Sequence, residues 1–110
     1  MAGHLLFAYG TLLAPSIQRG VIGRLIAGKA DRLNGFRKTA LRDGVDSFPN
    51  VTPDPKSHVA GHVLQVTERE LALIDNYEGD RYVRERVTLA SGQETWIYRA
   101  PNTSDRKAGS

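Results

Sequence analysis

Leu5-Leu6-Phe7-Ala8-Tyr9-Gly10-Thr11-Leu12 is an apolar run of strand type that breaks abruptly into an aromatic, a glycine and a hydroxyl residue. A chain turning out of a strand leaves amide N–H groups unpaired, and a glycine there removes the side chain where a ligand would approach the backbone. Such amides can hold a carboxylate or an oxyanion. The simpler alternative is a strand that ends in a turn eased by Gly10. A second segment must therefore supply chemistry.

The rest of the chain reads outward from this strand. Pro15 stands where a helix can begin, with Ile17, Val21, Ile22 and Leu25 on one apolar face and Gly20 and Gly23 weakening it. Residues 30–33 and 36–41 read as two short strands around Asn34-Gly35, a dipeptide suited to a tight hairpin turn. Residues 43–56, with Pro49, Pro53 and Pro55, read as a loop and as the expected mouth of the pocket. Strand character returns over 58–67, where Gly61 marks a bulge or a close backbone approach. Thr67-Glu68-Arg69-Glu70 has the capping-box spacing, so a helix is expected to start there, to bury Leu71, Ile74, Tyr77 and the adjoining Leu73, and to stop near Gly79. Residues 82–89 and 94–99 alternate like strands joined through Ser91-Gly92, and residues 101–110 form a polar tail expected to be disordered. The pattern predicts a single α+β domain over residues 1–100: a small, strongly curved antiparallel sheet or barrel of about five to six strands with two flanking helices.

Composition narrows the function. With 110 residues, 40% hydrophobic and 25% charged, the chain suits one ordinary globular core and one site. The net charge of +3 comes from arginines spread among acids such as Asp31, Asp43, Asp80 and Glu85, which argues against a nucleic-acid surface. No apolar stretch is long enough to span a bilayer and no basic leader precedes Leu5, so no membrane role and a cytoplasmic location are expected. The absence of cysteine excludes disulfides, thiol catalysis and thiolate metal sites. His4, His58 and His62 lack metal-ligand spacing, and Ser16, Ser47, Ser57 and Ser91 lack a nucleophile-elbow context. Trp96 and Tyr98 read as core residues of the last strand.

Glu78 falls at the predicted end of the second helix, where unsatisfied carbonyls disfavour an anion. If its side chain also enters an apolar pocket, desolvation raises its pKa towards the operating pH, which suits a proton shuttle. The alternative is a surface glutamate just past a helix. Asp75, one turn back, is read as structural, pairing with Arg81 or Arg84.

Tyr9-Gly10-Thr11-Leu12 after a first strand, then Leu73-Ile74-Asp75-Asn76-Tyr77-Glu78-Gly79 and Tyr82-Val83-Arg84, resembles the γ-glutamylcyclotransferase-like superfamily, nearest its γ-glutamylamine-cyclotransferase and AIG2-like branch. The resemblance runs from Leu6 to about Tyr98. It implies a β-barrel with its pocket at the exit of the first strand, no metal or organic cofactor, and a small-molecule γ-glutamyl substrate. It also implies that Gly10, Thr11 and Leu12 hold the substrate α-carboxylate, that Tyr9 shapes the cavity and that Glu78 carries the proton, with 5-oxoproline and an amine as products. The leaving amine could be the ε-amine of lysine, a polyamine or a protected biosynthetic intermediate. Tyr82 is a further candidate, as a hydroxyl donor to the developing oxyanion or as an aromatic packed beside the helix end. A non-catalytic module sensing a small carboxylated metabolite is the alternative function.

Overall fold

The computed structural model describes residues 3–101, so the tail at 102–110 lies outside the described residues. In chain order the elements are β1 (Gly3–Ala8), α1 (Pro15–Val21), β2 (Lys29–Asp43), β3 (Asp46–Thr67), α2 (Glu68–Glu78), β4 (Val83–Thr88) and β5 (Glu94–Arg99), with short 3-10 turns at Thr11–Leu13 and Gly79–Arg81. The strands form one sheet in the order β2-β3-β1-β5-β4. Its neighbours run antiparallel except β1 and β5, which are parallel and meet at Leu6 and Trp96. The sheet curls into a half-barrel: Ala90 N–H, after β4 at one end, donates to the Arg32 carbonyl in β2 at the other (2.7 Å), and the Ser91 hydroxyl bonds Asp31 (2.5 Å). The α+β architecture with two helices is the one expected.

Because the half-barrel has a packed inside and a helix-covered outside, its central strands are buried on both faces and carry continuous apolar runs. Leu6 and Ala8 of β1 point to a cluster with Leu64, Val66, Leu71, Ile74 and Tyr98. Phe7 and Tyr9 point the other way, to Leu33, Val51, Val59, Leu89 and Ile97. This double burial is why Leu5 to Tyr9 reads as a solid apolar run rather than an alternating one.

Two expectations about the middle of the chain are overturned. Asn34-Gly35 does not reverse the chain; β2 runs through it with a register shift, Asn34 facing His58 and Phe36 facing Pro53. The positive φ of Gly35 (+84°) goes into this irregularity, while the reversal comes at Gly44 (φ +65°) and Val45. The extra residues lie on β3, where the Asp54 carboxylate accepts from Lys56 N–H (3.1 Å) and the Ser57 hydroxyl (2.9 Å). Residues 43–56 are accordingly not a loop but the ends of two long paired strands. β1 pairs only with 62–67, so the earlier part of β3 has one edge free of it, and prolines are tolerated there.

The helices keep their expected starts, with narrower apolar faces. Helix α1 stops at Val21, leaving Leu25 exposed, and on α2 Leu71 and Ile74 are buried while Leu73 and Tyr77 stay about 40% exposed. Gly79 ends α2 with φ +69° but ψ −160°, outside the left-handed helical region and accessible only to glycine. The capping box is formed in full: Glu70 N–H donates to Thr67 Oγ1 (3.1 Å) and Thr67 N–H to Glu70 Oε1 (2.9 Å). Arg24 forks onto the same carboxylate at 2.6 and 2.9 Å, and its hydrogen bond is the largest cause holding the Glu70 pKa down to about 2. The stability this adds is full above the ordinary glutamate range and is lost as pH falls through about 2. Thr67→Ala is expected to cost about 1 kcal/mol, read as a melting temperature lower by about 4–8 °C; an unchanged melt would mean that this cap carries none of the helix's stability.

Candidate active site

Leaving β1, the chain is pinned by Tyr9, whose buried hydroxyl donates to the Tyr98 carbonyl (2.5 Å). Gly10 then caps the turn at Thr11–Leu13, in which Leu13 N–H donates to the Gly10 carbonyl (3.1 Å) and Ala14 N–H to that of Thr11 (2.9 Å). The preceding amides, those of Gly10, Thr11 and Leu12, donate to no described residue, the usual condition of the first amides of a helical turn. The turn is held from behind: the Leu12 side chain is buried, and Gln18 Nε2 donates to the Leu12 carbonyl (3.0 Å). Gly10 has an ordinary φ of −132°, so no backbone strain selects glycine here. A Cβ would lie 3.1 Å from the Pro49 ring, and the space expected for a ligand at this glycine is thus taken by β3.

Glu78 arrives from the other end of the chain. Leu71 and Ile74 anchor α2 in the core. Asp75 clamps its last turn, taking a hydrogen bond from the Tyr98 hydroxyl (2.5 Å) and an ion contact from Arg84 Nε (3.2 Å), while its carbonyl accepts from Gly79 N–H. The structural reading of Asp75 therefore holds. Thr11 Oγ1 and the Tyr77 hydroxyl, 66 positions apart, lie 2.8 Å from each other and tie the turn to the helix end.

The result is one cleft of about 370 Å³, its open mouth included, lined by Tyr9, Gly10, Thr11, Leu12, Glu78 and Tyr82 together with Leu6, Phe7, Ala8, Pro49 and Tyr98. All six residues singled out from the sequence meet there. Burial pushes the Glu78 carboxyl up to about 7, with no hydrogen bond or opposite charge among the described residues to offset it. Its place at the carbonyl end of α2 acts in the same direction. Burial likewise raises the Tyr9 and Tyr98 hydroxyls, so both stay protonated donors. The Tyr82 hydroxyl is engaged, donating to the Pro49 carbonyl (2.5 Å), which makes Tyr82 a wall of the cleft rather than a free donor.

The sequence placed residues 43–56, Pro49 among them, at the mouth of the pocket without singling out a residue there, and it assigned Tyr98 to the core alone. Pro49 sat in a segment that prolines marked as loop. Tyr98 carried a usable signal, because alternation along the last strand turns it to the same side as the first-strand exit. His4, His58 and His62 do not converge, and the described residues hold no group of three or more His, Cys, Asp or Glu side chains placed to bind a metal ion. No helix among them is long and apolar enough to cross a membrane.

A family profile described as gamma-glutamyl cyclotransferase, AIG2-like, matches residues 6–110. The chain belongs to this family. The AIG2-like protein C of Arabidopsis thaliana is 32% identical over 89 residues, 80% of this chain and 51% of that protein. AIG2-like protein D of the same plant is 31% identical over 87 residues, 78% of this chain and 56% of its own length. This AIG2-like chain thus spans about half the length of the curated relatives it matches. Among solved structures, the solution structure of an Arabidopsis thaliana protein superposes with a TM-score of 0.80 at 26% identity, covering 97% of this chain and 74% of the other. A structure described as a gamma-glutamyl cyclotransferase gives 0.76 at 21% identity, covering 92% and 68%, and shares the fold.

Proposed function

We propose that this AIG2-like chain is a γ-glutamyl cyclotransferase that converts a γ-glutamyl amine or related conjugate into 5-oxoproline and a free amine. The reading is carried by one observation: a carboxyl group with its pKa raised to about 7 lines the same cleft as three unpaired amides. The amides of Gly10, Thr11 and Leu12 hold the substrate α-carboxylate, as anions are held by backbone N–H groups. The ionised Glu78 takes a proton from the α-ammonium, and the freed amine attacks the γ-carbonyl of the same molecule. The ring nitrogen of the adduct gives up its second proton to water; as the adduct collapses, the C–N bond to the leaving amine breaks and Glu78 returns the first proton to that nitrogen, the free amine then taking up a proton from water at neutral pH. A pKa near 7 serves both transfers, since the residue must be a base first and an acid second. Nucleophile and electrophile belong to one molecule, so the protein's share is to hold a ring-closing conformer. Tyr9, Tyr82 and Pro49 supply the walls that do so.

The test is release of 5-oxoproline from a panel of γ-glutamyl amines by the purified protein. Its pH dependence is a further expected outcome: kcat/KM rises about tenfold per pH unit below neutrality and levels off near pH 7, where the free enzyme's Glu78 becomes ionised. A limb centred below pH 5 would mean that another group, or an unshifted carboxylate, carries the proton. Binding of 5-oxoproline with no turnover of any conjugate would favour the sensor alternative.

A further inference from the structure

Two routes join the amide turn to the end of α2. The inner one is indirect and runs through β5: the Tyr9 hydroxyl donates to the Tyr98 carbonyl, and the Tyr98 hydroxyl donates to Asp75 (2.5 Å each). At the outer rim the link is direct, since Thr11 Oγ1 and the Tyr77 hydroxyl lie 2.8 Å apart. Among the described residues no other hydrogen bond joins the turn to this helix. Both partners adjoin the chemistry. Thr11 contributes the middle one of the three turn amides that donate to no described residue, and Tyr77 directly precedes Glu78. Successive helical side chains diverge by about 100°, so Glu78 lines the cleft while Tyr77 stays at the surface, 40% exposed. Water competes for both hydroxyls, and the bond between them adds little net stability. What it fixes is geometry. The turn is held at its two ends, by the Tyr9 hydroxyl and by Gln18 on the Leu12 carbonyl, and the bond to Tyr77 keeps Thr11 from pivoting between them.

We propose that Tyr77 is a positioning residue, whose bond to Thr11 sets the separation between the amides that hold the substrate α-carboxylate and the carboxyl that moves the proton. The inference rests on the cyclotransferase reading and deepens it. In a γ-glutamyl group a single carbon separates the α-carboxylate from the nucleophilic nitrogen. Any shift of the amides against the helix end therefore moves that nitrogen almost as far from Glu78 and from the line of attack on the γ-carbonyl. A misplacement of about 1 Å can cost about 10²-fold in rate. Releasing the rim bond loosens the turn without detaching it, since the inner route remains, and the expected cost is about tenfold. Binding of a carboxylate needs the amides alone and does not feel their distance from Glu78.

A double-mutant cycle tests it, run on the γ-glutamyl amine that the wild-type chain turns over fastest. Tyr77→Phe removes one exposed oxygen and keeps the ring, and Thr11→Val replaces the hydroxyl by a methyl of like size. Each variant is expected to lower kcat about tenfold with KM and the affinity for 5-oxoproline within about twofold of the wild type, and to shift the melting temperature by at most about 4 °C. The double variant should lose no more than either single one, about tenfold rather than a hundredfold, because both substitutions break the same bond. Thr11→Val alone decides the matter if the phenylalanine variant does not fold, by the same split between kcat and product binding. A kcat unchanged in Tyr77→Phe, losses that multiply in the double variant, or 5-oxoproline binding weakened as much as kcat overturns the positioning role while leaving the cyclotransferase reading standing. No 5-oxoproline from the wild-type chain with any conjugate of the panel would retire that reading, and the positioning role with it.

Discussion

Glu78→Gln is expected to lower 5-oxoproline release by about 10³-fold, in the middle of the range for removing a positioned acid–base group. Glutamine keeps the shape and size of the side chain, so the cleft still binds 5-oxoproline with an affinity close to that of the wild type, measured by calorimetry. Turnover should be lost without loss of binding. The same variant makes a second forecast with the opposite sign. The folded Glu78 pKa is raised from 4.5 to about 7, so between these values the folded chain holds a proton that the unfolded chain has released. Stability therefore falls as pH rises through this window, and the full cost is present above it. After allowance for the open mouth of the cleft, that cost is about 1–3 kcal/mol. Glutamine cannot ionise and escapes it. The variant is expected to melt higher than the wild type at pH 8, by about 4–8 °C for each kcal/mol, and to match it near pH 4.5. A variant that melts lower than the wild type at pH 8 would show that the Glu78 carboxylate is stabilised by partners rather than held at a cost, and would remove the basis for its role as base.

What could be read from the sequence was what short range decides. Thr67 and Glu70 lie three positions apart, and their two reciprocal hydrogen bonds follow from that spacing with no help from the rest of the chain. The strand at Glu94–Arg99 showed in its β-branched and aromatic run from Thr95 to Tyr98, a preference that is local to those residues. The stop at Gly79 needs only a positive φ. Asn34-Gly35 failed for the converse reason. The dipeptide allows a turn, but whether the chain reverses depends on what pairs with it, and here β3 continues past on the other side with Asp54 folding the excess residues. Leu25 and Leu73 failed in a related way, since helical spacing says which residues share a face but not how far along that face the core extends.

The candidate site was legible to the extent that it sits at ends of elements. Gly10 to Leu12 follow a strand and Glu78 closes a helix, so both signals are local. Their meeting is not local. It depends on the parallel pairing of β1 and β5, which brings Tyr98 against Tyr9, and on Tyr98 in turn holding Asp75. Pro49 reached the cleft by a pairing that no nearby residue announced, and it fixes the Tyr82 hydroxyl that sequence reasoning had offered to the substrate.

The largest effect on stability is expected at Gly61, and it follows from that same long-range packing. Gly61 is buried on β3 beside the end of β1, with a negative φ that any residue could adopt, so its backbone conformation does not require glycine. Space does. A Cβ built there collides with the Ala8 carbonyl oxygen and lies 2.7 Å from Phe7 Cζ. Phe7 is fully buried and cannot swing away, and the Ala8 carbonyl belongs to the backbone that leads directly into Tyr9 and the turn amides. Either β1 separates from β3 at its last pair, Ala8 with His62, or the Phe7 ring is driven out of the inner core. Overpacking of this kind typically costs about 1–3 kcal/mol, occasionally more, and with backbone as one of the colliding partners Gly61→Ala is placed at the upper end. The expected reading is a melting temperature lower by about 10–20 °C, accompanied in the surviving folded fraction by weaker 5-oxoproline binding, because the amides of Gly10 to Leu12 move with Ala8. Gly20→Ala is the control, since a Cβ there meets nothing within 4 Å and alanine favours the helix. If Gly61→Ala melts with the wild type while Gly20→Ala does not, the close approach of β3 to β1 is not what holds the first-strand exit in place.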